Sequence, residues 1–139
     1  MKNQIIPDSD YIARRIKKGA LDEDGNPTAA AFILRENIDK YLSIDWVNWL
    51  NKTSKDEEIL ELIEIYKIRG FKKNNGCGIS YLNTGTIKRN VLKKSVQKKL
   101  LNIKHLRDHT SYSGIFNYLV SDIDIPEFIA QSVETTKII

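Results

Sequence analysis

The segment Lys104-His105-Leu106-Arg107-Asp108-His109-Thr110-Ser111-Tyr112-Ser113-Gly114 gathers the side chains best suited to chemistry. It holds both histidines of the chain, one carboxylate, three aliphatic hydroxyls, a phenol and two cations. Such a set suits general acid–base work. Histidine titrates near neutrality, a carboxylate can orient it, and a cation can stabilise a developing anion. On this reading His105 or His109 is the acid or base, Asp108 orients it, Ser111 and Tyr112 complete the cluster, and Arg14, Arg35 or Arg107 clamps an anionic substrate. The plainer reading is a polar turn, in which Asp108, Thr110 and Ser111 bond to nearby backbone. Arg107 to Ser111 contains no apolar residue, so this stretch is expected at the surface with His109 exposed.

A second signal is charge segregation. From Ile65 to Arg107, 43 residues, there is no Asp or Glu, while twelve positions are Lys or Arg. The rest of the chain carries ten basic and eighteen acidic residues, so the net charge of +4 hides a segment of +12. A block of one sign must meet an anionic partner or be neutralised by acidic parts of its own fold. Lys88-Arg89, Lys93-Lys94 and Lys98-Lys99 recur at intervals of about five, and together with Arg14, Arg35 and Arg107 they are the candidate binding residues. Phosphate contacts by such a block would be insensitive to sequence and sensitive to salt. Aromatic residues suited to stacking are few within it, and no helix-turn-helix or RNA-binding signature is present.

Other motifs point to no chemistry. His105 and His109 have i, i+4 spacing without a helix signal or a following Glu, so no metal site is expected. Asp22-x-Asp24-x-Asn26 opens like a calcium loop, but Pro27 occupies its glycine position and Ile33 its bidentate glutamate position, which leaves a turn. Gly76-Cys77-Gly78 lacks the third glycine and the preceding strand of a dinucleotide fingerprint, so no cofactor is implied. Cys77 has no base near it in sequence. Trp46 and Trp49 read as core.

These residues need a scaffold, and 139 residues with 41% hydrophobic content suffice for one domain with a substantial core. No apolar run has the length of a membrane span or a secretory signal, and one cysteine permits no internal disulfide. A cytoplasmic, non-membrane protein is the expectation. Ser54 and Glu57 form a capping box, and Ile59, Leu62, Ile63 and Tyr66 recur at i, i+3, i+4 and i+7 before Gly70, which predicts a helix over 54–68. Asp22 to Pro27 predicts a turn, and Thr28 to Arg35 predicts a buried strand that pairs in a hairpin with the segment before the turn. Ser43 is a candidate cap for a short helix carrying Trp46, Trp49 and Leu50 on one face. Strands are expected at Ile79–Leu82, Leu100–Leu106 and Ile115–Val120, with a turn at Asn83-Thr84-Gly85 and a short helix near Ile87–Lys94. Asp124, Pro126 and Glu127 start a last helix. The sum is a single compact α+β domain over residues 1–139, with a mixed or antiparallel sheet of about five strands and three to four helices.

Four pieces in order, Ile6-Pro7-Asp8-Ser9-Asp10-Tyr11-Ile12-Ala13-Arg14, Ala30-Ala31-Phe32-Ile33-Leu34-Arg35, Leu42-Ser43-Ile44-Asp45-Trp46 and His105 through Ser111-Tyr112-Ser113-Gly114-Ile115, give the chain its one resemblance. It resembles a family of uncharacterised small prokaryotic proteins in which the last piece tends to read Ser-His-x-Gly-Ile. Tyr112 stands here in place of that histidine. The resemblance implies no reaction; the general character of such small genes suggests a role beside other proteins, as in bacterial defence or toxin-type operons. The leading expectation is a non-enzymatic accessory module that engages nucleic acid or an acidic partner protein through residues 65–107. The alternative is an enzyme that acts on a nucleotide or nucleic acid through the His105–Ser113 cluster. The alternative requires Arg14 or Arg35 to meet that cluster in one pocket.

Overall fold

A computed structural model describes residues 3–139; Met1 and Lys2, which open the N-terminal stretch, lie outside the described residues. The chain forms one antiparallel six-stranded sheet with three α-helices, an α+β fold. In chain order the elements are β1 (Tyr11–Ile16), β2 (Leu42–Trp46), α1 (Lys55–Ile68), β3 (Gly78–Asn83), α2 (Thr84–Lys94), β4 (Asn102–His105), β5 (Tyr112–Phe116), α3 (Ile125–Gln131) and β6 (Val133–Ile138). Across the sheet the order is β4-β5-β2-β1-β3-β6.

Strand alternation divides the molecule into two cores. Ile12 and Ile16 of β1, Leu42, Ile44 and Trp46 of β2 and Leu82 of β3 face a large core shared with Ile87 and Val91 of α2 and Ile125 and Ile129 of α3. Ala13 of β1 and Ile79 and Tyr81 of β3 face a smaller core built with Ile59, Leu62 and Tyr66 of α1. The smaller core draws nothing from β4 or β5. α1 therefore covers the β1–β3 half of its face and leaves the β2–β5–β4 half uncovered.

The predicted helix over 54–68 forms as α1. Ser54 Oγ accepts from Glu57 N at 3.2 Å, and Leu62 is fully buried. The reciprocal half of the capping box is replaced, because the Glu57 carboxylate takes a bond from Thr53 Oγ1 instead. The helix near Ile87–Lys94 is α2, and Asn83-Thr84-Gly85 is its start rather than a free turn: Asn83 Oδ1 accepts from Thr86 N at 3.0 Å.

Five expectations are corrected. Thr28 to Arg35 makes no strand; Ala29–Phe32 is a 3-10 turn that buries Ala31 and Phe32. Three consecutive alanines have little strand preference, and the partner taken by β1 on either side is β2 or β3. The expected hairpin shrinks to one bridge, Leu21↔Pro27, around a turn closed by Asp22 Oδ1. Leu42 to Trp46 is a strand rather than a Ser43-capped helix, because Leu42, Ile44 and Trp46 share one buried face at a period of two. Trp49 falls in a separate 3-10 turn, Asn48–Leu50, and is 38% exposed, so only Trp46 belongs to the core. The strand expected at 115–120 starts at Tyr112, which pairs with Asp45, and ends at Phe116 before Asn117, whose φ is 77°. β6, an exposed edge strand of mostly polar residues, carries no strong pattern and raises the strand count to six.

Candidate functional site

On the uncovered face the side chains of β5 that point outward are Tyr112, Gly114 and Phe116. The same rows hold Lys104 of β4, paired with Gly114, and Tyr41 and Ser43 at the β2 end, with Ser43 paired to Gly114. Tyr41 lies against Phe116, with ring centroids 4.8 Å apart, and edge-on to Tyr112 at 6.2 Å. The two phenol oxygens are 3.0 Å apart. Burial pushes the Tyr112 phenol up to about 12, with the Tyr41 hydrogen bond adding to it, so it stays protonated at neutral pH. The three rings are all partly exposed.

Gly114 makes this arrangement possible. A Cβ there would sit 2.7 Å from Tyr41 Cδ2 and 3.0 Å from both Leu106 Cδ1 and Phe116 Cε1. The rings lean across the glycine and close over it.

Cations surround the rings. The Lys104 ammonium stands 4.5 Å from the Phe116 centroid; the Arg107 and Arg69 guanidinium carbons stand 4.8 and 5.1 Å from that of Tyr112. Each is within cation–π range. Arg69, at the end of α1, is anchored to Asp45 of β2 by two bonds of 2.7 and 3.0 Å. Ser111 Oγ donates to the same carboxylate at 2.8 Å. Burial works against the Arg69 charge, but the Asp45 carboxylate outweighs it and raises the guanidinium above its ordinary range.

Beside the platform lies a cleft of about 550 Å³. It forms because β1 and β2 separate. Their ladder holds Ile12↔Trp46 and Ala13↔Asp45 and then stops, although β1 continues to Ile16 and β2 extends back to Leu42. Arg14 fills the wedge. Its Nε donates to Ala31 O at 2.7 Å and its Nη1 to Ser43 O at 2.6 Å. No carboxylate pairs with it among the described residues, and burial lowers its pKa. Arg35 stands at the cleft mouth, clamped by two side-chain bonds to Asp39, whose carboxyl is held below its ordinary value by that guanidinium. A smaller recess of about 220 Å³ continues from Arg35 and Asp39 past Tyr41 to Tyr112, so cleft and platform form one concave surface.

Structure disperses the histidine cluster. His105 is buried on the opposite face, edge-on to Trp46 with centroids 5.4 Å apart, with Nε2 2.6 Å from Thr110 O. Asp108 and His109 are exposed, as expected, and His109 takes a left-handed φ of 63°. Ser111 is buried on Asp45, and Tyr112 belongs to the platform. Arg14 and Arg35 do share a cleft, but of the cluster only Tyr112 reaches its extension.

The basic segment is likewise divided. Lys88 pairs with Asp8 at 2.6 Å and Lys99 with Asp122 at 3.6 Å. Arg89 bonds to Thr86, Lys98 to the Lys93 carbonyl, and Lys93 and Lys94 end α2 on the far side of the sheet. Among candidate cations, Arg107 alone stands on the platform, joined by Lys104 and Arg69. Tyr41, Phe116, Asp45, Arg69 and Tyr66 were missed as site residues. The alternation Tyr112-x-Gly114-x-Phe116, ring, glycine, ring on one strand face, was the available signal.

Among the described residues no group of His, Cys, Asp and Glu is arranged to hold a metal, and no helix is long and apolar enough to cross a membrane. No protein-family model, curated protein or solved structure matches the chain, so the resemblance carried by its four short pieces gains no support there.

Proposed function

We propose that this chain is a binding module for single-stranded nucleic acid, which it takes on the uncovered face of β4, β5 and β2. One observation carries the reading: Tyr41, Tyr112 and Phe116 form a partly exposed ring platform with Lys104, Arg107 and Arg69 packed against it. Bases stack on exposed rings without regard to sequence, and cations beside the rings meet the phosphates. An antiparallel sheet face backed by helices presents several such rings at once. An acidic protein segment would satisfy the cations but gives no reason for the rings to be grouped.

The test is fluorescence anisotropy with a labelled single-stranded oligonucleotide across roughly 50–200 mM salt. Two to three phosphate contacts give a log–log slope of about −1.4 to −2.1, at about −0.7 per single-strand contact. Phe116→Ala should weaken binding roughly 5- to 100-fold, the range for loss of one stacked base. Arg107→Ala should lower the slope by about 0.7. Lys93→Glu with Lys94→Glu, on the far side of the sheet, should do less than Arg107→Ala because the charges are screened. Absence of binding at low salt, or a larger effect from the α2 lysines than from Phe116 and Arg107, overturns the proposal.

A further inference from the structure

We propose that the cleft between β1 and β2 binds a phosphate monoester carried at the end of the strand that lies on the platform; this rests on the nucleic-acid reading above. Three observations meet there. First, Arg14 is ion-paired with no carboxylate among the described residues, since Asp39, whose charge reaches it, is already bonded to Arg35; Arg14 donates through Nε and Nη1, so Nη2 still has donors to offer. A partly buried guanidinium without a counter-ion is costly unless an anion joins it. Second, Tyr66 lines the cleft, is 2% exposed, and its hydroxyl has no hydrogen-bond partner among the described residues. Buried hydroxyls are almost always satisfied. Burial raises the Tyr66 pKa, so the group remains a donor. Third, Val47 N bonds to Tyr11 O, which by alternation makes Arg15 and Ser43 the next hydrogen-bonding positions beyond Ala13↔Asp45, yet the ladder ends before them. Their backbone edges turn toward the gap.

The charge of the cleft fits an oxyanion. Five cationic side chains and two carboxylates line it, and both carboxylates are already taken, Asp45 by Arg69 and Asp39 by Arg35. A phosphate monoester offers more acceptor oxygens and more charge than a carboxylate, which suits a guanidinium, a phenol and strand-edge N–H groups together. At about 550 Å³ the cleft admits a nucleotide-sized group rather than a bare ion. Its extension past Tyr41 to Tyr112 places it at the end of the platform.

Tyr66→Phe is the informative variant, because it deletes a hydroxyl that bonds to no other group among the described residues. Its melting temperature should equal or exceed that of the parent. Oligonucleotides of one sequence are compared with hydroxyl ends, a 5′-phosphate or a 3′-phosphate. The expected result is binding roughly tenfold tighter with phosphate at one end, an advantage of about one charge-assisted hydrogen bond, and its loss in Tyr66→Phe. Equal binding of all three overturns the cleft proposal and leaves the platform reading standing. If none binds at low salt, the platform reading fails, and thermal shift with inorganic phosphate, a nucleoside monophosphate and acetate decides the cleft alone. Stabilisation by either phosphate that Tyr66→Phe removes upholds a phosphate site fed by free ligand. No shift, or an equal shift with acetate, overturns it.

Discussion

Gly114→Ala separates a packed ring platform from three aromatic residues that merely happen to be neighbours. Two effects of opposite sign compete. Replacing a strand glycine reduces the freedom of the unfolded chain, which stabilises by about 0.4–1 kcal/mol where the new residue fits. Here it does not fit. The added methyl would sit 2.7 Å from Tyr41 Cδ2 and 3.0 Å from Phe116 Cε1 and Leu106 Cδ1. All three obstacles are side-chain atoms, two of them in rings held by each other and by the 3.0 Å contact between the Tyr41 and Tyr112 hydroxyls. Relief therefore requires Tyr41 to swing out and abandon both contacts. Overpacking of this kind costs about 1–3 kcal/mol, so the clash wins and the net loss is about 1 kcal/mol.

With a urea slope of about 2 kcal/mol per molar, that loss lowers the denaturation midpoint by about 0.5 M at constant slope. Gly19→Ala supplies the control, since a Cβ at Gly19 meets nothing within 4 Å; it should leave stability equal or slightly higher. Oligonucleotide affinity should fall in Gly114→Ala, because the displaced Tyr41 ring leaves its contacts with Phe116 and Tyr112, and stay unchanged in Gly19→Ala. A Gly114→Ala protein as stable as the parent, with unchanged affinity, would refute the packing of the rings over the glycine and with it the geometry of the platform.

Two further outcomes follow from the same geometry. Asp45→Asn leaves the Arg69 guanidinium without its carboxylate; complete burial would make this worth 3–5 kcal/mol, but the Arg69 side chain is 25% exposed and water reaches it, so a loss of about 2–3 kcal/mol is expected on chemical denaturation. A loss below about 0.5 kcal/mol would show that Asp45 does not hold the end of α1. His109 adopts a φ of 63° at an exposed position, so His109→Gly should be neutral or stabilise by up to about 1 kcal/mol while His109→Val destabilises by about 1–2 kcal/mol, both read from melting curves; destabilisation by glycine would mean that the imidazole makes structural contacts.

What the sequence revealed depended on whether local signals decided the structure. α1 was legible because its cap, its apolar spacing and its stop signal agree within seventeen residues, and tertiary packing ratified them. β2 was misread because Leu42, Ile44, Trp46 and Trp49 satisfy a helical and a strand spacing almost equally; the choice was made by β5 and β1 on either side, which are remote in sequence. Ala29–Phe32 failed for a related reason. Ala31 and Phe32 are buried, as read, while Ala30 is exposed, and burial does not distinguish a strand from a 3-10 turn packed under a sheet. The candidate site was harder still. Tyr41 and Phe116 lie 75 positions apart, and Arg14 becomes conspicuous only when the β1–β2 ladder ends beside it.

The basic segment shows most plainly why linear charge does not translate into a surface. Its 43 residues run through the end of α1, β3, α2 and β4, which lie on both faces of the sheet. Four of its cations are matched by carboxylates from outside it: Lys67 by Glu64, Arg69 by Asp45, Lys88 by Asp8 and Lys99 by Asp122. Internal neutralisation and partner binding were framed as alternatives; the fold shows the first for these four cations, and under the proposed function Arg69 would serve both. Its bonds to Asp45 hold it beneath the Tyr112 ring, where its positive charge borders the platform. A carboxylate that neutralises a cation also fixes where its remaining donors point, and for a site that must meet a ligand without rearranging, that fixed direction matters more than the count of lysines.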